Sequence, residues 1–437
     1  MALPAFVVAG YAALAVVSVA IDKGPPHWLQ PLLGPLHELI DKGTATSLLS
    51  AIATSVVTVT AITFSVLLLA VQQTAAAMTP VVFDQFLRRK TNQLYLGMFV
   101  GLSMFAFIDL ASVAPPLVPA FGATVALALT IVSLCALMGL IYSTVDQMRP
   151  SSVTQVIHDH GLAARTAELA LIERTRRTST HDGPVRATVR AEHDGFVTHV
   201  DFDGIAKALR ATPGAEVALL ITCGRHVAFN QVVAVVRDAG TGCSDDVARA
   251  VRRAVTLDRS RDLDVDPSLA VTELDNIAWT AISSAKQNPQ TAREAIDRLR
   301  DLLARWSHEA HRRQPTTSDE AATREVLPIV YEDSDVDHLI DTLVGLLVVC
   351  AESMQHDTCA YVIEAVANVL PELSGQELEG AEQGLAATLP AVHGLVLSRP
   401  LERALSHLRE TLQALEAGTT ADAVARVLDG ERSEALR

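Results

Sequence analysis

Apolar and polar positions divide the chain into a hydrophobic first third and a polar remainder. The run Leu48–Gln72 contains no charged residue. It is long enough to cross a membrane, because about 20 apolar helical residues span about 30 Å of hydrocarbon. Three further runs predict spans in the same way: Leu3–Ile21, Gln93–Val113 and about Leu117–Val145. Residues 1–148 are therefore predicted to form a domain of four transmembrane helices.

The first run also resembles a signal peptide, since Val-Ser-Val-Ala looks like a cleavage site. No basic residue precedes it, and the run is long for a signal peptide. We interpret Leu3–Ile21 as a retained span.

After the fourth run the periodicity changes. Residues 149–184 are interpreted as a stalk helix and linker, and residues 185–240 as a small, mostly antiparallel β module. The module is expected to contain two strand pairs around a short helix: Val185–Glu192 with Phe196–Phe202, Gly204–Thr212, and Glu216–Thr222 with Val227–Arg237.

Residues 241–437 are predicted to be almost entirely helical. The expected helices are Ser244–Leu257, Ser268–Gln287, Gln290–His311, Val336–Met354, Thr358–Leu370, Gly375–Leu385, Leu401–Ala417 and Ala421–Ala435, with a linker over His311–Thr323. The predicted fold class is a membrane α-helical bundle of four transmembrane helices plus a cytoplasmic α+β domain, mostly helical, with a small antiparallel β module.

Charge indicates the orientation. Residues 1–150 hold six basic and six acidic residues, so the net charge of −15 belongs entirely to the remainder. An acidic surface of this kind argues against nucleic acid as a partner.

The cluster Arg88-Arg89-Lys90 places the loop after the second span in the cytoplasm by the positive-inside rule. We therefore expect a multi-pass protein of the inner (plasma) membrane with both termini cytoplasmic.

Sequence signatures of enzymes and cofactor sites are not found. The chain contains no P-loop, GxSxG, HExxH or GxGxxG motif, and we expect no enzymatic activity. The five cysteines are scattered, and His158 and His160 point apart on a helix, so no metal site is predicted. Gly195 and Gly224 weakly resemble lipoyl-type half-motifs, but no lysine lies at the hairpin tip, and no cofactor is predicted.

One face of the second span is polar. Its residues follow helical spacing: Ser47, Thr54, Thr58, Ser65 and Gln72. They are interpreted either as a pore lining, since hydroxyl and amide groups replace the hydration of an ion, or as a helix-packing face.

Two further sets of residues are candidate sites. Asp109 is an acid within the third span, which indicates either function or contact with the external headgroups. The second set comprises Arg261, Asp266, Asn288 and Pro289. They are interpreted as a cytoplasmic ligand site or hinge, or as a structural Arg–Asp pair with Asn288 capping the next helix.

Several short motifs together resemble the bacterial membrane proteins catalogued as domain of unknown function 2254. They are Leu48-Leu49-Ser50, Thr58-Val59, Phe64-Ser65, Thr79-Pro80, Phe86-Leu87, Asn92-Gln93, Leu96-Gly97-X-Phe99, Gly195-Phe196-Val197, Gly224-X-X-Val227, Arg261, Asp266, Leu269-Ala270-Val271, Leu274, Ile277-Ala278, Ala281 and Asn288-Pro289-X-Thr291-Ala292.

This chain departs from the family pattern at three places. Val81 replaces a common Arg, Gln287-Asn288-Pro289 replaces Asn-Asp-Pro, and Ser283-Ser284 replaces Ser-Pro. The resemblance implies a topology but no reaction.

Three functions remain open from the sequence. The first is a channel- or transport-like homo-oligomer in the lipid bilayer, with a cytoplasmic regulatory domain and an unidentified ion or small ligand. The second is a membrane-anchored sensor or scaffold whose cytoplasmic domain binds a ligand or protein partner. An enzyme at the membrane surface ranks third.

Overall fold

The computed structural model describes residues 2–27, 40–79, 89–113, 119–179, 183–238, 244–283, 288–312, 326–373 and 375–434. The chain divides into two compact units, Met1–Ser152 and Val153–Arg437. The basic cluster used for orientation lies partly outside these ranges, at Arg88. Most of the predicted linker His311–Thr323 lies outside them too.

Four long helices form the first unit, which confirms the predicted number of apolar helices. They are α1 (Ala2–Lys23), α2 (Lys42–Ala77), α3 (Lys90–Ala111) and α4 (Ala120–Gln147). Each is long and apolar enough to cross a membrane. The longest is α2, whose 36 residues extend about 54 Å at 1.5 Å per residue. It exceeds the predicted apolar run because polar residues at both ends join the helix.

Glycines allow α1 and α3 to approach closely. A Cβ atom on Gly97 would lie 2.9 Å from the Cβ of Val7, and one on Gly101 would lie 2.6 Å from the ring of Tyr11. Real Cβ atoms do not tolerate such distances, so both positions require glycine. Small residues at a helix contact allow the dispersion contacts that hold helices together in lipid. The apolar core beside this contact includes Leu49, Leu102, Phe105, Ala106, Ala123 and Ala126.

Two small sheets open the second unit after helix α5 (Pro150–Ile172). The strands are β1 (Val185–Arg190), β2 (Gly195–Val200), β3 (Ala215–Leu219), β4 (His226–Val227), β5 (Val232–Asp238), β6 (Val255–Asp258) and β7 (Ile329–Val330). One sheet has the order β1-β5-β3-β7 and the other β4-β2-β6. All pairs are antiparallel except β3 with β7. Helix α6 (Phe202–Ala211) follows β2, and helix α7 (Ser244–Ala254) precedes β6.

The predicted pairing of the first two strands is wrong. Strand β1 pairs with β5, whereas β2 pairs with β4 and β6, so neighbours in sequence lie in different sheets. The end of the predicted helix Ser244–Leu257 is also wrong, because Val255–Asp258 forms β6. Val255 and Leu257 pack on the core of the module, and this long-range contact overrides the helical periodicity. Strand β7, far along the chain, extends the sheet beyond residue 240.

The remainder of the second unit is a helical array. Its helices are α8 (Pro267–Ser283), α9 (Pro289–Arg312), α10 (Asp335–Glu352), α11 (His356–Val369), α12 (Gln376–Val392), α13 (Arg399–Ala414) and α14 (Gly418–Glu434). Helix α12 extends past the predicted end at Leu385 and includes Pro390. Buried side chains such as Leu274, Leu299, Leu343 and Leu405 follow the inner faces of these helices.

Candidate functional site

The polar residues predicted on the second span lie on the outer surface of the first unit. Ser47, Thr54, Thr58, Ser65 and Gln72 are all exposed on α2. The hydroxyl of Thr58 donates to the carbonyl of Thr54 at 2.8 Å, and that of Ser65 donates to the carbonyl of Ala61 at 2.7 Å. We call these five residues the polar face of α2. Within the described part of one chain, this face is open to the surroundings.

A cavity does lie inside the helical bundle, on another side of α2. Its volume is about 130 Å³, and its lining includes Val56, Val59, Phe99, Ser133 and Leu137. Five of the eight lining residues are apolar, and Ser55, Thr130 and Ser133 carry hydroxyl groups. A lining that is mostly apolar offers an ion few groups to replace its hydration shell.

Asp109 is fully buried near the end of α3. The hydroxyl of Ser18 on α1 lies 3.4 Å from its Oδ2 atom. Its Oδ1 atom has no hydrogen-bond partner among the described residues. The structure therefore places this acid inside the first unit, between helices, and not on its surface.

The structure brings Arg261 and Asp266 together. The guanidinium donates from Nε to Oδ2 at 2.6 Å and from a terminal nitrogen to Oδ1 at 3.1 Å. Asp266 also accepts the backbone N–H of Leu269 at 3.0 Å, so the carboxylate caps α8. Gly224 has φ +81°, and a Cβ there would lie 2.3 Å from Asp266 Oδ2. The pair thus holds a turn of the β module against the start of α8.

Asn288 and Pro289 lie at the other end of α8. Asn288 Oδ1 accepts the N–H of Thr291 at 3.3 Å, and Pro289 begins α9. This geometry matches a helix cap followed by proline in the first turn. Within the described residues, the two ends of α8 form separate clusters.

The two histidines of α5 have different carboxylate partners. His158 Nε2 lies 2.7 Å from Asp301 Oδ2, and His160 Nδ1 lies 2.8 Å from Asp264 Oδ1. Among the described residues no group of three or more metal-ligating side chains is found.

A buried ionic cluster around Arg165 went unnoticed in the sequence. Arg165, on α5, is 1% exposed and binds Asp333 through two bonds of 2.8 and 2.6 Å. It also donates to Asp335 at 3.1 Å and to Glu168 at 3.3 Å. Its guanidinium lies 5.3 Å from the ring centroid of Trp306, close enough for a cation–π contact. We call this set, with Tyr331, the Arg165 cluster.

Titration in the Arg165 cluster reflects burial and neighbouring charge. Burial, followed by the charge of Glu168, raises the pKa of Asp335 well above its usual value. Burial opposes ionisation of Asp333, but the hydrogen bond and charge of Arg165 outweigh it and lower the pKa. Burial also raises the pKa of Tyr331, whose hydroxyl donates to Glu168 at 3.0 Å.

The Arg165 cluster joins α5 to three other parts of the second unit. Tyr331 follows β7 directly, Asp335 begins α10, and Trp306 lies on α9. The Tyr331 hydroxyl also accepts the N–H of Cys223 at 3.2 Å. Burial raises the pKa of the Cys223 thiol to about 12, so this cysteine stays neutral. The one local signal in the sequence was Arg165 with Glu168 three residues later on a helical face.

A groove with mixed charge runs between α9, α11 and α13. Its volume is about 630 Å³. The guanidinium of Arg293 lies 5.3 Å from the ring centroid of Tyr361. The Tyr361 hydroxyl donates to Asp297 at 2.7 Å, and His407 contacts Glu364 at 3.1 Å. This groove combines an aromatic face with both signs of charge.

Comparison with known proteins decides the family. The family model described as "Predicted membrane protein (DUF2254)" matches residues 1–356. The chain belongs to this family. The resemblance read from the short motifs is thereby confirmed.

The relatives found for this DUF2254 protein include uncharacterized mycobacterial proteins. Uncharacterized proteins of Mycobacterium tuberculosis and Mycobacterium bovis are each 24% identical to it over 312 residues, covering 65% of this chain and 58% of theirs. The chain thus spans less than two thirds of the length of the relatives it matches. No solved structure matches it.

The DUF2254 match includes every residue predicted as a site and all of the Arg165 cluster, since these lie before residue 356. The groove differs, because α13 and nearly all of α11 follow the matched region. The groove is therefore built largely from the part of this chain outside the family match.

Proposed function

We propose that this DUF2254 protein is a channel- or transport-like homo-oligomer of the inner (plasma) membrane, without enzymatic activity. Each copy contributes the polar face of α2 to the contact between copies, both termini are cytoplasmic, and the second unit regulates the assembly. Hydroxyl and amide groups do not select one particular ion or small molecule, so the proposal names no transported species. Nucleic acid is not a partner in this proposal.

The exposure of the polar face of α2 carries this proposal. Leu49, Ile52, Ala53 and Val56, on the opposite side of the helix, are buried within the same chain. The polar side therefore remains available to a partner helix. Hydroxyl groups bonded to their own backbone are tolerated in lipid, but they gain from a second partner across a helix contact. Around a symmetry axis, the same groups can replace part of an ion's hydration.

Single-cysteine accessibility tests the proposal. Cysteines at Thr54, Thr58 and Ser65 are compared with cysteines at Val57 and Ile62, in the full chain with its native cysteines replaced by alanine. Val57 and Ile62 are 43% and 60% exposed in one copy, so a lone copy offers both sets to lipid. Only an oligomer with a water-filled centre would expose the polar positions to the reagent and keep the apolar positions away from it.

We expect a membrane-impermeant maleimide to label the polar positions and not the apolar controls, together with an oligomeric mass by mass photometry. If none of the five positions in an oligomer reacts with the maleimide, the channel proposal is wrong and the polar face is a helix-packing face. A monomeric mass would overturn the assembly itself.

A second candidate function is a membrane-anchored sensor or scaffold. The groove between α9, α11 and α13 favours it, because Arg293, Tyr361 and His407 offer ionic, aromatic and titratable contacts to a ligand or protein partner. It becomes the leading proposal if the maleimide does not label the polar face of α2 and the protein is a monomer.

A further inference from the structure

The carboxyl group of Asp109 packs so closely against the neighbouring helix that only a glycine there leaves room for it. A Cβ atom on Gly122, in the first turn of α4, would lie 2.3 Å from Asp109 Oδ2 and 2.9 Å from Ser18 Oγ. Asp109 is 0% exposed and Ser18 is 1% exposed. Three helices therefore meet around one carboxyl group.

The first backbone N–H groups of α4 donate hydrogen bonds to another acid, Asp22. Asp22, at the end of α1, accepts the N–H groups of Phe121 and Gly122, each at 3.0 Å. Two backbone donors and the positive end of the helix dipole stabilise an ionised carboxylate at that position. Asp22 thus occupies the first backbone donors of α4.

Among the described residues, Asp109 has fewer hydrogen-bond donors than Asp22 to stabilise a negative charge. Ser18 is its one hydrogen-bonding neighbour in the described structure, at 3.4 Å, and Oδ1 has none there. Ala45 and Leu49 of α2 and Ala123 of α4 belong to the apolar core cluster that also contains Phe105 and Ala106 of α3.

Among the described residues, the other charged or titratable groups near this end of the helices are Asp22 and Lys23 on α1, His27 after it, and Asp41 and Lys42 where α2 begins. No contact joins any basic side chain to Asp109 among the described residues. Lys23, Asp41 and Lys42 are exposed, while the ionised Asp22 adds negative charge. A second ionised carboxylate inside this apolar site is costly without a cation.

We propose that Asp109 is a proton-binding site of the membrane unit. Its carboxylate takes up one proton to become the neutral acid, and releases it to water at the end of the bundle where α1 ends and α4 begins. Ser18 positions the carboxyl group, and Gly122 provides its space. The site rests on contacts within one chain, so it goes beyond the proposed assembly and does not depend on it.

Reaction with dicyclohexylcarbodiimide tests the proposal in the full chain in lipid nanodiscs. This apolar reagent modifies protonated carboxyl groups and leaves ionised ones unmodified. We expect mass spectrometry to find the adduct on Asp109 at acidic pH, with labelling at least tenfold lower at alkaline pH. Asp41→Asn is the matched control, because Asp41 is exposed at the start of α2, and in this variant Asp109 is expected to label as in the wild type. Asp109→Asn is expected to lose the adduct.

Two further measurements separate a proton site from its alternatives. The infrared carbonyl band of a protonated carboxylic acid is expected to disappear over the same pH range and to be absent in Asp109→Asn. In Ser18→Ala, the pH of half-maximal labelling is expected to rise, because the ionised form loses a hydrogen bond.

Three results would overturn the proposal. One is the absence of both the adduct and the infrared band at acidic pH. Another is labelling of Asp109 that does not vary with pH. The third is protection by sodium at constant pH, which would identify a metal cation as the ligand. A monomeric mass with a titrating Asp109 would contradict only the proposed assembly.

Discussion

Replacing Arg165 by methionine should destabilise the second unit strongly. Methionine keeps much of the length of the arginine stem but removes the charge that faces Asp333, Asp335 and Glu168 at 2.6–3.3 Å. Removing one partner of a buried ion pair leaves uncompensated buried charge and costs about 3–5 kcal/mol. At about 2 °C per kcal/mol for a unit of this size, the unfolding midpoint should fall by about 6–10 °C.

Thermal unfolding of the full chain in detergent, followed by tryptophan fluorescence, measures this change. Trp306 is 1% exposed and contacts Arg165, so its emission reports on the cluster. Arg249→Met is the matched control. Arg249 binds Asp246 at 3.2 Å, but these side chains are 59% and 61% exposed, and a pair so exposed contributes about 0–1 kcal/mol.

The dependence on pH distinguishes charge from packing. Acid protonates the carboxyl groups left without Arg165, so the deficit of Arg165→Met should shrink between pH 7.5 and pH 5. The pKa of Asp333 is lowered in the wild type, so its stabilisation persists over this range and is lost only at stronger acidity. A shift no larger than that of Arg249→Met would refute the reasoning. An equal deficit at both pH values would assign the loss to packing against Trp306.

Two other substitutions test local features of the second unit. Gly224→Ala should cost about 2 kcal/mol or more, and clearly more than Gly214→Ala: Gly214 also has positive φ, but a Cβ there would meet nothing within 4 Å. Equal losses in denaturant unfolding would contradict a role for the contact with Asp266. Burial raises the pKa of Asp275 to about 6, so its contribution to stability is full at low pH and is lost as the pH rises through about 6. Asp275→Asn should therefore stabilise the chain by on the order of 1–2 kcal/mol at pH 7.5, after discounting for solvent screening, and have little effect near pH 4; a pH-independent effect would contradict this.

The chain by itself determined its four apolar helices and its family. Both follow from local patterns: runs such as Leu48–Gln72 are apolar over the length of a membrane, and short motifs recur at fixed spacing. The helical array was predicted for the same reason, since its helices carry buried residues at helical intervals. The spacing of Thr54, Thr58 and Ser65 on one face was likewise available from the sequence.

Which partner each local element would meet was decided only by the tertiary structure. The polar face of α2 lies outside the bundle because apolar residues on the opposite side, such as Leu49, fill its core. Strand β6 forms because β2 offers an open edge, although Val255–Asp258 continues a helical pattern. Arg165 finds Asp333 and Asp335 across more than 160 residues of chain. Such clusters depend on long-range packing, and the local spacing of Arg165 and Glu168 does not reveal the distant aspartates.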